Sequence, residues 1–343
     1  MNSPVKNKWR EISKLIKSYD SFALTTHINP DGDAIGSEVA LKSFLEDIDK
    51  SAVIVNSSVT PDNLAFLDPS AEIKVYSRET DRQILDDVDA VFILDVNNWE
   101  HLGAFGKTIR KSSKPRLCID HHVPDAEDAD GVGFAEVIVC DTSYAATGML
   151  VYELIQSMNG TISKAIAEAA YATIITDTGT FRFSNTDANV FRLAAELCGR
   201  GVDPHQLYRR VFASKTWGTG RLLGPVLSTV ESTADGRLAW IAATREMYAD
   251  ASASYDDSDG FIDLVRAIKG VELVLFFKEI PDGKIKVSLR SNGKVDAYSI
   301  ARSFGGGGHR MASGMKVDGP MKEAIARVRD VCLQIEGIKD PPN

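Results

Sequence analysis

The sequence predicts two domains: an α/β domain with a mainly parallel sheet, joined by a helical linker to a smaller α+β domain. Three observations predict this. The chain has 343 residues, 44% of them hydrophobic, which is more than one core usually organises and enough for two. Through residue 140, short apolar runs alternate with segments of helical periodicity, the pattern of parallel strands joined by crossover helices. Beyond residue 237, strands follow one another through short turns, with a helix at the end. The expected boundaries are 1–187 for the first domain, 188–230 for the linker and 231–343 for the second domain.

Taken in order, residues 5–18 set Trp9, Ile12, Leu15 and Ile16 on one face of an amphipathic helix. The apolar run Phe22–Thr25 is a strand, and the polar stretch Thr26–Ser37 turns the chain into a helix at Ala34–Ile48. In that helix Ile35, Val39, Leu41, Leu45 and Ile48 fall near helical spacing. Strands are expected at Ser51–Asn56, Ile73–Tyr76, Asp89–Asp95 and from Arg116 into Asp120, with a loop and helix start at Asn97–Gly103. Asp125–Val132 is acidic and reads as a solvated loop before a strand at Phe134–Cys140. Helices at about 144–158 and 163–177 complete the first domain.

The linker is helical from Ala188 to about Val230, with breaks at Gly199–Gly201 and Gly218–Gly220. In the second domain, Leu238–Ala243, Val271–Ile280 and Ile285–Arg290 are strands, and Pro281-Asp282-Gly283 is a hairpin turn. A helix at 296–304, a strand at Ala312–Val317 and a helix at 321–336 finish the chain.

Composition excludes several classes of function. The net charge of −9 argues against a protein that grips long nucleic acid through many phosphates, although a short anionic substrate remains compatible. Cys118, Cys140, Cys198 and Cys332 are scattered with no Cys-x-x-Cys pair, so zinc-finger and redox-motif readings fail. No segment approaches the ~20 apolar residues of a membrane span, and the first twenty residues carry no apolar signal core. A cytoplasmic protein that meets no membrane is expected.

The chemistry concentrates at the ends of apolar elements. His27, Asp31 and Asp33 lie within seven residues after the first strand, where a polar turn with Asp33 as helix cap would be an equally good reading of that stretch alone. The arrangement recurs, however, at Asp95, at Asp120-His121-His122 and at Asp177. In open α/β sheets ligands bind outside the carboxyl ends of the strands. Oxygen-rich ligands with a minority of imidazoles suit manganese or magnesium better than zinc in a thiolate cage. So many ligands are too many for one ion and suit two divalent ions about 3.5–4 Å apart, sharing a carboxylate and a water.

Three patterns together are specific: His27-x-x-x-Asp31-x-Asp33-x-x-Gly36, Asp120-His121-His122, and Gly305 to Gly308 followed by His309-x-x-Ala312-Ser313-Gly314. They resemble the DHH phosphoesterase family with its associated C-terminal domain, in particular the nanoRNase/pAp-phosphatase type. The resemblance implies two divalent metal ions, manganese first, with magnesium or cobalt as alternatives. It assigns His27 and Asp31 to one ion, Asp33, His121 and Asp177 to the other, and Asp95 to both. A water between the ions would attack phosphorus, Asp120 would orient an imidazole, and His122 would contact the scissile phosphate or leaving group.

In the second domain the resemblance makes Arg290, within Ser288-Leu-Arg-Ser291, a substrate-phosphate ligand. Ser291, Gly306, Gly307, Gly308 and His309 join it, although a glycine run alone is usually only a flexible turn. His101 stands where related proteins often have Arg, and Arg182, between two Phe residues, reads as a surface or structural residue; both stay outside the core site. The implied activity is trimming of very short oligoribonucleotides to mononucleotides, with 3′-phosphoadenosine 5′-phosphate as a further substrate. Alternatives are an inorganic pyrophosphatase, a RecJ-like single-strand exonuclease, a linear or cyclic dinucleotide phosphodiesterase and, from another class, a non-catalytic nucleotide sensor. A homodimer through the first domain would fit the family's behaviour.

Overall fold

Strand order in the first sheet decides where a ligand can sit. The computed structural model describes residues 4–79, 83–123, 133–213 and 215–335, and divides into the units Met1–Ser214 and Lys215–Asn343. The acidic stretch expected as a loop at Asp125–Val132 lies outside the described residues.

The first unit begins with α1 (Pro4–Ser18), β1 (Ser21–Thr25), α2 (Gly32–Asp47), β2 (Ser51–Asn56), β3 (Lys74–Val75) and α3 (Ile84–Asp87). It continues with β4 (Ala90–Leu94), α4 (Gly103–Ile109), β5 (Arg116–Asp120) and β6 (Val137–Cys140). Four helices follow: α5 (Thr147–Ser157), α6 (Lys164–Asp177), α7 (Ala188–Gly199) and α8 (Pro204–Phe212). The six strands are all parallel, in the order β3-β2-β1-β4-β5-β6. The order reverses between β1 and β4, and a crevice opens at the carboxyl ends of strands on either side of such a reversal.

Alternation along the strands fills both faces. Phe22, Leu24, Phe92 and Leu94 point into a core shared with α1, α2 and α5 to α8. Ala23, Val91, Ile93 and Cys118 point the other way, against Leu102, Phe105, Ile109 and Phe134. Helices α2 and α6 are buried on nearly all sides, which is why their hydrophobic pattern is broad rather than a stripe.

Small residues let these helices approach. A Cβ added at Gly36 of α2 would sit 2.6 Å from the Thr173 methyl and 2.7 Å from the Ala169 carbonyl oxygen of α6. A Cβ at Gly32 would meet Thr176 at 2.3 Å, and one at Gly148 of α5 would meet Thr173 at 2.3 Å. The glycine of the first motif is thus explained by packing.

Some boundaries differ from expectation. The first-loop helix begins at Gly32, and its cap is Asp31, not Asp33: the Asp31 carboxylate accepts from the Asp33 and Ala34 amides. Helix α5 begins at Thr147, later than expected, with no side-chain cap of its own at Ala146. The break at Gly199–Gly201 exists, with Gly201 at φ 94° between α7 and α8.

The second unit starts with α9 (Trp217–Leu227), which runs through Gly218–Gly220 where a break was expected. The Thr216 hydroxyl caps it, and Gly218 is required there by contact, since a Cβ would lie 2.9 Å from the Ser252 carbonyl oxygen. Then come β7 (Glu231–Ser232), β8 (Leu238–Ala243), α10 (Arg245–Ala251), α11 (Phe261–Arg266), β9 (Leu273–Glu279) and β10 (Ile285–Ser291). Last are α12 (Ala297–Ser303), β11 (Gly307–His309), β12 (Ala312–Val317) and α13 (Met321–Cys332). The sheet is mixed, in the order β11-β12-β10-β9-β8-β7, with only β8 and β9 parallel. One face packs on α12 and α13, and the other on α9, α10 and α11.

The helix contact in the first unit gives a direct test. Gly36→Ala should destabilise by about 1–3 kcal/mol, because overpacking against backbone exceeds the gain in helix propensity. A thermal melt should show a Tm lower by several degrees; an unchanged or higher Tm would contradict the packing account.

Candidate metal centre

The residues picked from the sequence converge at the carboxyl end of the first sheet. Parallel pairing sets Thr25 beside Ile93, so two residues on His27 comes beside Asp95, with Nε2 3.4 Å from Asp95 Oδ2. His121 follows β5, and its Nε2 lies 3.1 Å from Asp177 Oδ2, 3.5 Å from Asp33 Oδ2 and 3.7 Å from Asp95 Oδ1. Two sets of three ligand atoms form, His27–Asp31–Asp95 and Asp33–His121–Asp177, each with its atoms within 4.8 Å of one another. Asp95, His121 and His122 make a further such group.

Each side chain is held from outside the cluster. Asp33, fully buried, accepts from the Thr147 amide at 2.6 Å and the Gly148 amide at 2.9 Å. These are first-turn N–H groups of α5, which have no partner within their own helix and carry the positive end of its dipole. The Thr147 hydroxyl donates to Asp95 Oδ1 at 2.9 Å. Asp95 itself takes φ 61°, a left-handed backbone that costs a non-glycine residue energy and recurs at functional sites. On the imidazoles, Nδ1 of His27 sits 3.0 Å from the Ile28 carbonyl oxygen and Nδ1 of His121 3.2 Å from that of Tyr144. Carbonyl acceptors there leave Nε2 as the nitrogen available to a metal.

Asp120 is buried, and its Oδ1 lies 2.8 Å from His122 Nδ1 while also accepting the His122 amide at 3.1 Å. The imidazole it orients is therefore that of His122, whose ring is half exposed. Asn185 donates to the carbonyl oxygens of Asp177 and Ala145, pinning the segment after α6 to the approach of α5.

Electrostatics make the cluster costly without cations. Burial, then the neighbouring carboxylates of Asp95 and Asp177, push Asp33 well above the usual carboxylate range. Burial, then Asp31 and Asp177, do the same to Asp95. Burial opposes charging of His121, but Asp177 and Asp33 outweigh it and raise the group to about 9. The cluster thus draws positive charge, as protons or as metal. His121 Nε2 is buried with no hydrogen-bond partner although carboxylate oxygens surround it. Oxygen donors with two imidazoles, converging in two sets, fit a pair of divalent cations.

Sequence reasoning missed Thr147 and Gly148, which carry no motif and act through their amides at a helix start and, for Thr147, through its hydroxyl as well. It also missed Glu38, fully buried on α2, which accepts from Asn56 Nδ2 at 2.8 Å. Asn56 in turn accepts from the Thr26 amide at 3.2 Å, fixing the residue before His27. A carboxylate on a buried helix face was the only available signal.

In the second unit, Arg290 is half-buried, and its Nη1 donates to the Leu289 carbonyl oxygen at 3.0 Å. Ser291 points to the opposite face, fully buried, and its hydroxyl accepts from the Gly293 amide at 3.0 Å. Its side chain serves that turn. A Cβ at Gly306 would strike the Gly314 carbonyl oxygen at 2.3 Å, and one at Gly308 would lie 2.6 Å from Ser313. These two glycines are needed by the β11–β12 hairpin, whereas Gly307 faces open space. His309 pairs through its backbone with Ala312.

Comparison with known proteins gives the same division. The model of the DHH family, N-terminal domain, matches residues 21–174, and that of the DHHA1 domain matches residues 241–335. A bifunctional oligoribonuclease and PAP phosphatase NrnA of Thermus thermophilus is 33% identical over 95% of each chain. The protein of that name from Bacillus subtilis is 27% identical over 90% of this chain and 92% of its own. The crystal structure of an exopolyphosphatase-related protein from Bacteroides fragilis matches with a TM-score of 0.89 at 30% identity, over 96% of both chains. Exonuclease RecJ bound to manganese shares the fold alone, with a TM-score of 0.52 at 12% identity over 97% of this chain and 95% of its own.

Glu38 provides a pH test. Burial pushes it up to about 8, against the opposing Asn56 hydrogen bond. A raised carboxyl favours folding in its protonated form, so its contribution is complete below the unfolded value and fades as pH rises toward 8. In metal-stripped protein, wild type should lose stability relative to Glu38→Gln between pH 5 and 8, by up to about 1.4 kcal/mol per pH unit. Parallel melting curves for the two proteins across that range would contradict this.

Proposed function

We propose, because this chain belongs to the DHH phosphoesterase family, that it hydrolyses very short oligoribonucleotides to mononucleotides and also removes a phosphate from 3′-phosphoadenosine 5′-phosphate. The observation that carries the proposal is the meeting of two ligand sets around one buried carboxylate, Asp95. The relatives named as oligoribonuclease and PAP phosphatase support the substrate class.

His27 and Asp31 would hold one divalent ion, and Asp33, His121 and Asp177 the other, with Asp95 shared. When bound, such a pair supplies charge neutralisation at the phosphoryl oxygens and lowers the pKa of a water to near neutrality. We take the ions to be manganese, with magnesium or cobalt as alternatives, on the oxygen-rich donor set. The protein's own part is positional. Thr147 and the first turn of α5 hold Asp33 and Asp95 so that neither carboxylate can turn away. Asp120 keeps His122 Nδ1 engaged, which leaves Nε2 of this half-exposed ring to meet a phosphate oxygen or the leaving oxygen, as a donor when the imidazole is protonated. Arg290 and His309, beside the open Gly307, would grip a further phosphate of the substrate.

Rival readings fit less well. Pyrophosphate has no sugar or base to be accommodated beside the glycine run. A processive exonuclease on long single strands needs a long basic track, which a net charge of −9 does not favour. No helix among the described residues is long and apolar enough to cross a membrane. We place the enzyme in the cytoplasm and take a homodimer through the first unit as part of this proposal.

Two measurements test it. Asp95→Ala should abolish hydrolysis and lower metal content, since the shared ligand is lost; near-normal turnover with manganese would remove Asp95 from the mechanism. In competition at ordinary ionic strength, two- to four-nucleotide RNAs should be consumed ahead of a 24-mer, and duplexes should be poor substrates. Preference for the 24-mer would replace this reading with the RecJ-like one.

A further inference from the structure

The face of the second sheet that carries Arg290 holds more positive charge than one phosphate contact needs. Lys286, Ser288 and Arg290 alternate onto the same face of β10. Lys286 stands directly opposite Lys316 on β12 and Lys278 on β9, a row of three lysines across adjacent strands. Like charges opposite one another destabilise a sheet. Two of them are partly relieved: Lys278 is buried with its ammonium 3.2 Å from Asp259 and 4.3 Å from the Tyr255 ring, and Lys316 reaches Asp282 at 3.7 Å. Lys286 is exposed, 5.7 Å from the same Tyr255 ring, and has no carboxylate at ion-pair distance among the described residues. Arg290 has none either.

Between these cations the floor is low. Gly314 lies opposite Ser288, and Ala312 opposite Arg290. A Cβ at Gly314 would meet nothing nearer than the Val287 carbonyl oxygen at 3.7 Å, so the space above it is open. The result is a shallow trough with Arg290 at one end, Lys286 and Lys316 at the other, and the Ser288 hydroxyl between them. Four residues of strand separate Arg290 from Lys286, about 13 Å.

We propose that this trough is a second phosphate subsite, taking a backbone phosphate of an oligonucleotide beyond the one held by Arg290. It rests on the oligoribonuclease reading given above. It also sets a limit, because the row ends at Lys286 and Lys316, and a strand longer than a few nucleotides gains nothing further from it. The competing explanation is that Lys316 guards an exposed strand edge, since β11 pairs only with the start of β12.

The test uses the full-length Lys286→Gln/Lys316→Gln protein with manganese, beside an Arg-for-Lys double variant that keeps the charge. On a pentanucleotide RNA, kcat/KM should fall five- to tenfold through KM, while a dinucleotide stays within twofold and the Arg variant behaves as wild type. Binding of a labelled pentanucleotide in EDTA, followed by fluorescence anisotropy, should lose about 0.7 per lysine from its salt slope. Equal losses at both lengths, an unchanged slope, or no binding by wild type would overturn the subsite. If wild type cleaves no oligonucleotide at all, the functional reading fails, and the EDTA slope still decides whether the trough takes phosphates.

Discussion

A carboxylate removed from water and clamped by two backbone amides organises the first unit. Asp33 is fully buried, and the Thr147 and Gly148 amides at the start of α5 supply the hydrogen bonds it would otherwise take from solvent. In return, the start of α5 needs no side-chain cap of its own. Asp31 caps the helix that carries Asp33, and Thr147 reaches on to Asp95. The charges therefore sit in one rigid place. Their mutual repulsion is severe, as the upward displacement of Asp33 and Asp95 records, and cations are the natural complement.

That arrangement depends on close helix packing and on sheet order. Gly36 and Gly148 both meet Thr173 of α6, and Gly32 meets Thr176, so α2, α5 and α6 bring Asp33 and Asp177 within reach of His121. The strand order places the loops after β1, β4 and β5 side by side at the reversal point. His27, Asp95 and His121 each follow one of those strands. The second unit uses a different principle: a mixed sheet buried on one face by α12 and α13, with the far strands of its other face carrying basic and small side chains in register.

Much of this was legible in the sequence because the signals were redundant. Apolar runs ending in Asp or His gave the parallel sheet and the candidate ligands together, as at Asp89–Asp95 and Arg116–His122. What escaped was set by tertiary contact. Nothing local marks Thr147 as the donor to two acids, since its amide and its hydroxyl meet them only once the chain is folded. Gly218 and Gly220 read as a helix break, yet α9 passes through them because Thr216 caps it and Gly218 must clear the Ser252 carbonyl. The segment 245–266, with α10 and α11, lacked a clean period because its helices are short. Ser291 shares a motif with Arg290 but, one residue on, faces the other side of the strand.

Two cations sharing Asp95 are central to the proposed function. Crystals soaked in manganese, with diffraction recorded at the manganese edge, measure this most directly. Two anomalous peaks about 3.5–4 Å apart are expected, one among His27, Asp31 and Asp95, the other among Asp33, His121, Asp177 and Asp95. A single peak at saturating manganese, or two peaks that do not share Asp95, would contradict it.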